Sequence, residues 1–106
     1  MLDKERFKSI LSKYNVSAKK PQLNSLISIL NSHHRLDAFE FIMRMIIRNE
    51  PMIVKVMDKS KDIVLVETIL CYDESASHIL SNAVLSVLAQ RKDGNIHILE
   101  VELTSL

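Results

Sequence analysis

Gly94 is the one glycine in this chain of 106 residues, and that scarcity restricts the loops the chain can build. A globular chain ordinarily has about 7% glycine, because tight turns and close backbone approaches need positive φ angles. Phosphate-binding loops, dinucleotide fingerprints, nucleophile elbows and two-residue hairpins of the primed types all depend on glycine. The sequence therefore argues against these enzyme motifs, and it predicts no primed hairpin.

The size and composition indicate a single domain over residues 1–106. Hydrophobic residues make up 47% of the chain, which is enough to form a core, and single domains are commonly about 100–150 residues long. Runs of apolar residues are short, so no membrane span is predicted. The lone Cys71 cannot form an internal disulfide, and we expect a cytoplasmic protein without a cofactor.

The first half of the chain has the periodicity of three helices. The first follows an N-cap at Asp3, and the second follows an N-cap at Ser17. The third, over about residues 35–49, is apolar around most of its circumference and is predicted to be the central helix. Its narrow polar stripe should place Glu40 and Arg44 in an ion pair.

The second half mixes strand and helix signals. β-branched residues dominate residues 52–72 and predict a hairpin. Residues 75–92 repeat apolar side chains at alternating steps of three and four, which predicts a long amphipathic helix ended by Gly94. Alternation over residues 95–103 predicts a strand with a bulge at Leu99. The predicted fold class is α+β, in which the long helix covers a small sheet beside a helical N-terminal half, and the alternative is all-α.

Charge is distributed unevenly, although the net charge is only +1. Residues 1–20 carry six lysines and arginines against two acids, whereas residues 73–106 carry two against five. A basic segment attracts nucleic acid phosphates or an acidic protein surface. The candidate contacts in it are Lys4, Lys8, Lys13, Lys19 and Lys20.

Residues 10–26 resemble a helix-turn-helix motif, in which an amphipathic helix end and a short turn lead into a second helix. The resemblance implies that Lys19 and Lys20 would meet phosphates. It also implies that Gln22 and Asn24 would contact base edges. The chain would then be a DNA-binding transcriptional regulator, with its second half serving for dimerisation. By size, helicity and charge distribution the chain is also similar to the small subunits of CRISPR effector complexes.

Polar side chains give little indication of catalysis. His33, Asp37 and Glu40 are spaced so that they could share a helix face and hold a metal. Acids near a helix start are, however, ordinary partners of the helix dipole. The serines in residues 75–92 have no elbow turn and no positioned base. We therefore expect neither an enzyme nor a metal site.

One side of the predicted helix over residues 75–92 is a candidate subunit contact. It combines Ser81 and Asn82 with Leu85, and small side chains allow another surface to approach closely. We expect a non-enzymatic interaction module, acting as a small subunit or accessory factor of a larger intracellular assembly, including one that contains nucleic acid. Its partners would be protein subunits, further copies of itself, or DNA or RNA at the basic segment. The helix-turn-helix regulator is the alternative function.

Overall fold

The structure of the protein, a computed structural model, describes residues 2–33, 35–74 and 79–105, with the backbone alone in residues 33, 71–74 and 79–82. The described elements are α1 (Lys4–Lys13), β1 (Val16–Ala18), α2 (Lys20–His33), α3 (Leu36–Arg48), β2 (Val54–Asp58), β3 (Ile63–Glu74), β4 (Ile79–Lys92) and β5 (Asn95–Ser105). The strands form one sheet in the order β1-β5-β4-β3-β2. β1 is parallel to β5, and every other pair is antiparallel. The α+β class and three N-terminal helices are confirmed, and the all-α alternative is wrong.

The first helix begins as predicted, whereas the second does not. The Asp3 carboxylate caps α1 by accepting a hydrogen bond from the Arg6 amide at 3.0 Å. Ser17, the predicted cap of α2, lies instead in β1. Asn15 explains the difference, because it takes a left-handed conformation with a φ of 52° and ends the helical turn. Its carbonyl then accepts a hydrogen bond from the Ile96 amide at 3.0 Å, which aligns the following residues with β5.

The hairpin predicted over residues 52–72 is confirmed as β2 and β3. Its turn needs no glycine, because Asp62 adopts the positive φ of 51°. At the start of the turn, the Asp58 carboxylate accepts hydrogen bonds from the Ser60 amide at 3.0 Å and the Ser60 hydroxyl at 2.7 Å. The hydroxyl bond, helped by the backbone amides of the turn, lowers the pKa of Asp58 below its ordinary value.

The long amphipathic helix predicted over residues 75–92 is wrong. Residues 79–92 form β4, the central strand of the sheet, and residues 75–78 lie outside the described residues. Alternate side chains of β4 are buried, namely Ala83, Leu85, Val87 and Ala89, and the last three belong to the core that the helices share. Val84 and Leu88 add apolar residues to the other face, so the combined pattern repeats at steps of three and four and imitates a helix.

Gly94 forms the turn between β4 and β5 and does not cap a helix. Lys92 pairs with Asn95, which leaves a two-residue loop of Asp93 and Gly94 with φ angles of 54° and 78°. Positive φ at both central positions identifies a type I′ turn, which suits the twist of a hairpin. The exclusion of primed hairpins from glycine scarcity is therefore wrong, because one glycine after an aspartate is enough.

The C-terminal strand and its bulge are confirmed. In the pairing of β4 with β5, Leu88 is opposite Glu100 and Ala89 is opposite Ile98, so Leu99 is the extra residue. Before the bulge, the residues of β5 that face the helices are Ile96 and Ile98. After the bulge, they are Val101 and Leu103.

All three helices pack on one face of the sheet. α3 lies on β3, α2 on β5 and α1 on β1. α3 is the central helix, as predicted, and its fully buried side chains are Phe39, Ile42, Met43 and Ile46. We call the opposite side of the sheet the outer face, and no helix of the described chain covers it.

Candidate functional site

The predicted basic contacts occupy two regions of the α1 and α2 pair rather than one patch. The Leu2 amide donates a hydrogen bond to Asn31 Oδ1 at 2.8 Å, so α1 begins where α2 ends and the two helices are antiparallel. All the predicted lysines and Asn24 are exposed, and Gln22 is half-buried. The first half of α1 carries Lys4 and Lys8, whereas the opposite end of the pair carries Lys13, Lys19, Lys20, Gln22 and Asn24.

Lys13 is engaged within the protein. Its Nζ lies 3.6 Å from Glu40 Oε2 and 5.3 Å from the centre of the Tyr14 ring. Glu40 also accepts a hydrogen bond of 3.5 Å from the Tyr14 hydroxyl, and its Oε1 lies 3.9 Å from Arg6 Nη2. The partners of Glu40 are therefore on α1 and at its C-cap, in place of the predicted Arg44. This cluster connects α1 to α3, which gives Lys13 a structural role.

A groove of about 290 Å³ lies between α1 and α2. Its lining residues are Leu2, Lys4, Phe7, Lys8, Leu11, Leu23 and Ile27. The surface inside is apolar throughout, because the two lysines contribute their aliphatic stems while their ammonium groups reach solvent. We call it the Lys4/Lys8 groove.

The groove exists because each of the two helices has more apolar residues than it buries. α1 buries Phe7 and Ile10 in the core but leaves Leu11 half-buried. On α2, Leu23 and Ile27 are half-buried and lie one turn apart. The half-buried residues of both helices line the same groove, so a strip of apolar surface stays open to solvent.

The chemistry of the Lys4/Lys8 groove is that of recognition. Lys4 and Lys8 are one turn apart on α1, so two positive charges stand along one side of the apolar strip. Its described lining residues carry no carboxylate, imidazole, thiol or hydroxyl, so among them there is no nucleophile with a neighbouring base. Apolar side chains would bind its floor, and carboxylates would be attracted to its lysine side.

No family model, curated protein or solved structure matches this chain. Among the described residues, no helix is long and apolar enough to cross a membrane. Nor does the described part of the chain bring three metal-binding side chains together. Of the three residues weighed as metal ligands, Glu40 is paired with α1, Asp37 with Arg35, and the side chain of His33 lies outside the described residues.

Gln22, one of the two residues predicted to contact DNA bases, lies close to acidic residues. Gln22 lines a second groove of about 260 Å³, between the start of α2 and β5, together with Glu100 and Glu102. Both glutamates border this groove from the part of β5 beyond its pairing with β1, and their side chains belong to the outer face. Their negative charge close by disfavours the approach of a nucleic acid backbone. Gln22 Oε1 is buried, and no group in the described part of the chain donates a hydrogen bond to it.

The connection between α1 and α2 also differs from that of a helix-turn-helix motif. It contains β1, which pairs in parallel with residues 96–98 of β5. Ser17 Oγ lies 2.9 Å from His97 Nδ1, which adds a side-chain contact to this pairing. DNA recognition through residues 10–26 stays a prediction, and the turn that suggested it is a strand of the sheet.

The predicted subunit contact falls on β4. Leu85 is fully buried against the helices, so its side chain is not accessible to a second subunit. Ser81 and Asn82 lie in the same strand, and their side chains are outside the described residues. The residues of the groove floor, such as Leu11 and Leu23, are not predicted as a site, because helical periodicity places them on an apolar helix face without showing that this face stays open. The width of the apolar stripe on α1 and α2 was the available signal.

A third groove, of about 350 Å³, lies between the start of α3 and β3 and includes Arg35 and Asp37. Arg35 Nε donates a hydrogen bond to Asp37 Oδ1 at 3.0 Å. Burial raises the pKa of Asp37, but the hydrogen bond and the charge of Arg35 outweigh it, so the pKa lies below its ordinary value. Because the two groups are paired with each other, we assign no ligand to this groove.

Replacing Asp37 with asparagine is expected to lower the free energy of unfolding at neutral pH. The side chain is 64% exposed, so solvent screening keeps the loss below about 1 kcal/mol. Because the pKa of Asp37 is lowered in the folded state, its contribution is present above the unfolded pKa of about 3.9 and is lost as pH falls through the folded value. Urea unfolding at about pH 7 and about pH 2 measures this difference. A difference that persists unchanged at the lower pH would contradict the assignment.

Proposed function

We propose that this protein is a non-enzymatic interaction module whose Lys4/Lys8 groove holds an acidic amphipathic helix of a partner protein. It would act as a small subunit or accessory factor of a larger assembly. The observation that carries the proposal is an apolar groove with two lysines along one side. The lone Cys71 supports a reducing, cytoplasmic setting for that assembly.

A helix is the occupant that this groove suits best. Grooves between two packed helices commonly accept a third helix, whose apolar side chains insert at steps of three and four residues. A volume of about 290 Å³ lies just below the range of about 300–1,000 Å³ found for small-molecule pockets. It therefore suits a few inserted side chains. Acidic residues on the flank of the bound helix would then face Lys4 and Lys8.

The apolar floor favours a protein partner over nucleic acid. Nucleic acid binding depends on cations that neutralise phosphates and on exposed rings or guanidinium groups that stack on bases. Phe7, the one aromatic residue in the lining of the groove, is only 5% exposed. Lys19 and Lys20 remain candidate phosphate contacts outside the groove, so DNA or RNA binding through them is the competing outcome.

A peptide-display selection tests the proposal and needs no identified partner. Random peptides are selected on the immobilised protein, and we expect enrichment of helical sequences with one apolar face flanked by Asp or Glu. Affinity of a selected peptide, measured by fluorescence anisotropy, should fall about tenfold or more, or by at least about 1.4 kcal/mol, in two variants. The first is Leu23→Glu, which places a carboxylate in the floor. The second combines Lys4→Glu with Lys8→Glu.

Lys59→Glu combined with Lys61→Glu is the matched control. Both lysines are exposed in the turn between β2 and β3, and this variant changes the net charge by the same amount as the groove variant. Selected peptides without acidic residues, or an equal loss of affinity in the control, would overturn the proposal. Oligonucleotide binding that Lys19→Gln with Lys20→Gln abolishes, in the absence of peptide binding, would establish the nucleic acid alternative instead.

A further inference from the structure

The two central strands carry apolar side chains on the outer face of the sheet. When one face of an antiparallel sheet meets water, the outward positions are normally polar. The described outward positions of β3 and β4 are instead mostly apolar, namely Ile63, Leu65, Ile69, Val84 and Leu88, against Glu67, Ser86 and Gln90. Ile69 is 57% exposed. Strands with apolar residues on both faces are typical of sheets that are covered on both sides.

The strand register arranges these residues in rows across the outer face. One row, from β2 to β5, is Lys55, Leu65, Leu88 and Glu100. The next outward rows are Glu67, Ser86 and Glu102, followed by Ile69, Val84 and Thr104. The first row therefore has a positive end, an apolar centre and a negative end.

We propose that a second copy of this chain covers the outer face, related by a two-fold axis that runs parallel to the strands between β3 and β4. Under this rotation, β3 of one copy lies over β4 of the other, and β2 lies over β5. Each row of residues lies over the same row of the other copy. Lys55 of each copy then faces Glu100 of the other. In the centre of the row, Leu65 of each copy faces Leu88 of the other. The row is thus complementary to itself, as an isologous contact requires.

The neighbouring rows match under the same axis. Ile69 faces Val84, which covers the most exposed apolar side chain among the described residues of the outer face. Glu67 faces Ser86, whose hydroxyl already donates a hydrogen bond to the Glu67 carboxylate within one copy at 3.2 Å. Face-to-face sheets lie about 10 Å apart with their strands within about 30° of each other, and an axis parallel to the strands keeps the two copies within that angle.

The size of the matching patch predicts a weak dimer. Strands β2 to β5 span about 15 Å across, and the rows from Ile63 to Ile69 span about 20 Å along the strands. The patch therefore covers roughly 300 Å² per copy, against about 800 Å² per partner in a stable interface of standard size. We expect association that increases with protein concentration. The outer face and the Lys4/Lys8 groove are on opposite sides of the sheet, so the two proposals succeed or fail through different residues.

Sedimentation velocity from about 10 μM to about 1 mM tests the dimer. The wild type should shift from monomer to dimer over this range, and Ile69→Lys should stay monomeric because it places a charge in the apolar contact. Ile47→Lys is the matched control, since Ile47 is similarly exposed at 52% but lies on α3. Both sites are exposed, and circular dichroism checks that both variants fold. A wild type that stays monomeric, or an Ile69→Lys variant that dimerises as well as the wild type, would overturn the proposal.

A charge exchange tests the two-fold arrangement itself. Lys55→Glu alone brings two carboxylates together at each end of the contact, and Glu100→Lys alone brings two ammonium groups together, so each variant should dimerise more weakly than the wild type. An equimolar mixture of the two variants should recover the wild-type association, because both ends then join opposite charges. A mixture that associates no better than the single variants would exclude this arrangement.

Discussion

Replacing Phe39 with alanine is expected to lower the free energy of unfolding by about 3–5 kcal/mol. Phe39 is fully buried in α3, and its ring centre lies 5.6 Å from that of Phe7, with the planes tilted by 39°. The variant loses the apolar area of the ring and leaves a cavity between α1, α3 and the sheet. Domains of this size are stable by about 5–15 kcal/mol, so the variant should lose a large share of its stability.

Phe41→Ala is the matched control, because Phe41 lies on the same helix and is only half-buried. Urea unfolding followed by circular dichroism measures both variants, and the control should lose clearly less stability. If both variants lost the same stability, or if Phe39→Ala lost less than about 1 kcal/mol, α3 would not be the centre of the core.

Replacing Arg91 with leucine is expected to cost about 2–3 kcal/mol. Arg91 projects from β4, and its Nε donates a hydrogen bond to Asp62 Oδ1 at 3.0 Å. Its Nη1 donates to Asn49 Oδ1 at 2.7 Å and to the Ile46 carbonyl at 3.3 Å. One guanidinium thus joins the central strand, the turn between β2 and β3, and the end of α3. Leucine keeps the apolar stem but supplies no donor to any of them.

Lys92→Leu is the control for this substitution, because Lys92 is the next residue of β4 and is exposed. Arg91→Lys keeps the positive charge without the planar fork of donors, so its stability should lie between those of the wild type and Arg91→Leu. The melting temperatures measured by thermal unfolding rank the stabilities of these variants. Equal melting temperatures for Arg91→Leu and Lys92→Leu would show that the contacts of Arg91 do not stabilise the fold.

The sequence predicted the features that depend on neighbouring residues, and it failed where distant pairing decides. The Asp3 cap and the Leu99 bulge are local, and both are confirmed. Ser17 satisfies the local rules for an N-cap, yet it lies in β1 because β5 pairs with it from 80 residues further along the chain. No pattern close to Ser17 carries that information.

The false helix over residues 75–92 has a physical cause that also bears on function. Periodicity separates helix from strand only when one face of the strand is polar. In β4 the buried Val87 and the outward Leu88 are both apolar, so the signal for a strand was lost. The same outward residues form the centre of the proposed dimer contact.

The candidate site was predicted in part. Lys4 and Lys8 were predicted as contacts from charge alone, and the structure places both beside an apolar groove. The groove itself depends on the antiparallel packing of α1 and α2, which brings Leu11 and Leu23 together. Sequence periodicity assigns such residues to a helix face and does not say whether that face is fully covered.

An NMR titration of the isotope-labelled protein with a selected acidic amphipathic peptide shows which surface binds the peptide. We expect chemical shift changes to concentrate at the amides of the groove residues, which are Leu2, Lys4, Phe7, Lys8, Leu11, Leu23 and Ile27. The same titration with a DNA duplex should leave those amides unchanged. If the peptide changed chemical shifts only on the outer face of the sheet or at Lys19 and Lys20, and left those of the groove amides unchanged, peptide binding in the groove would be contradicted.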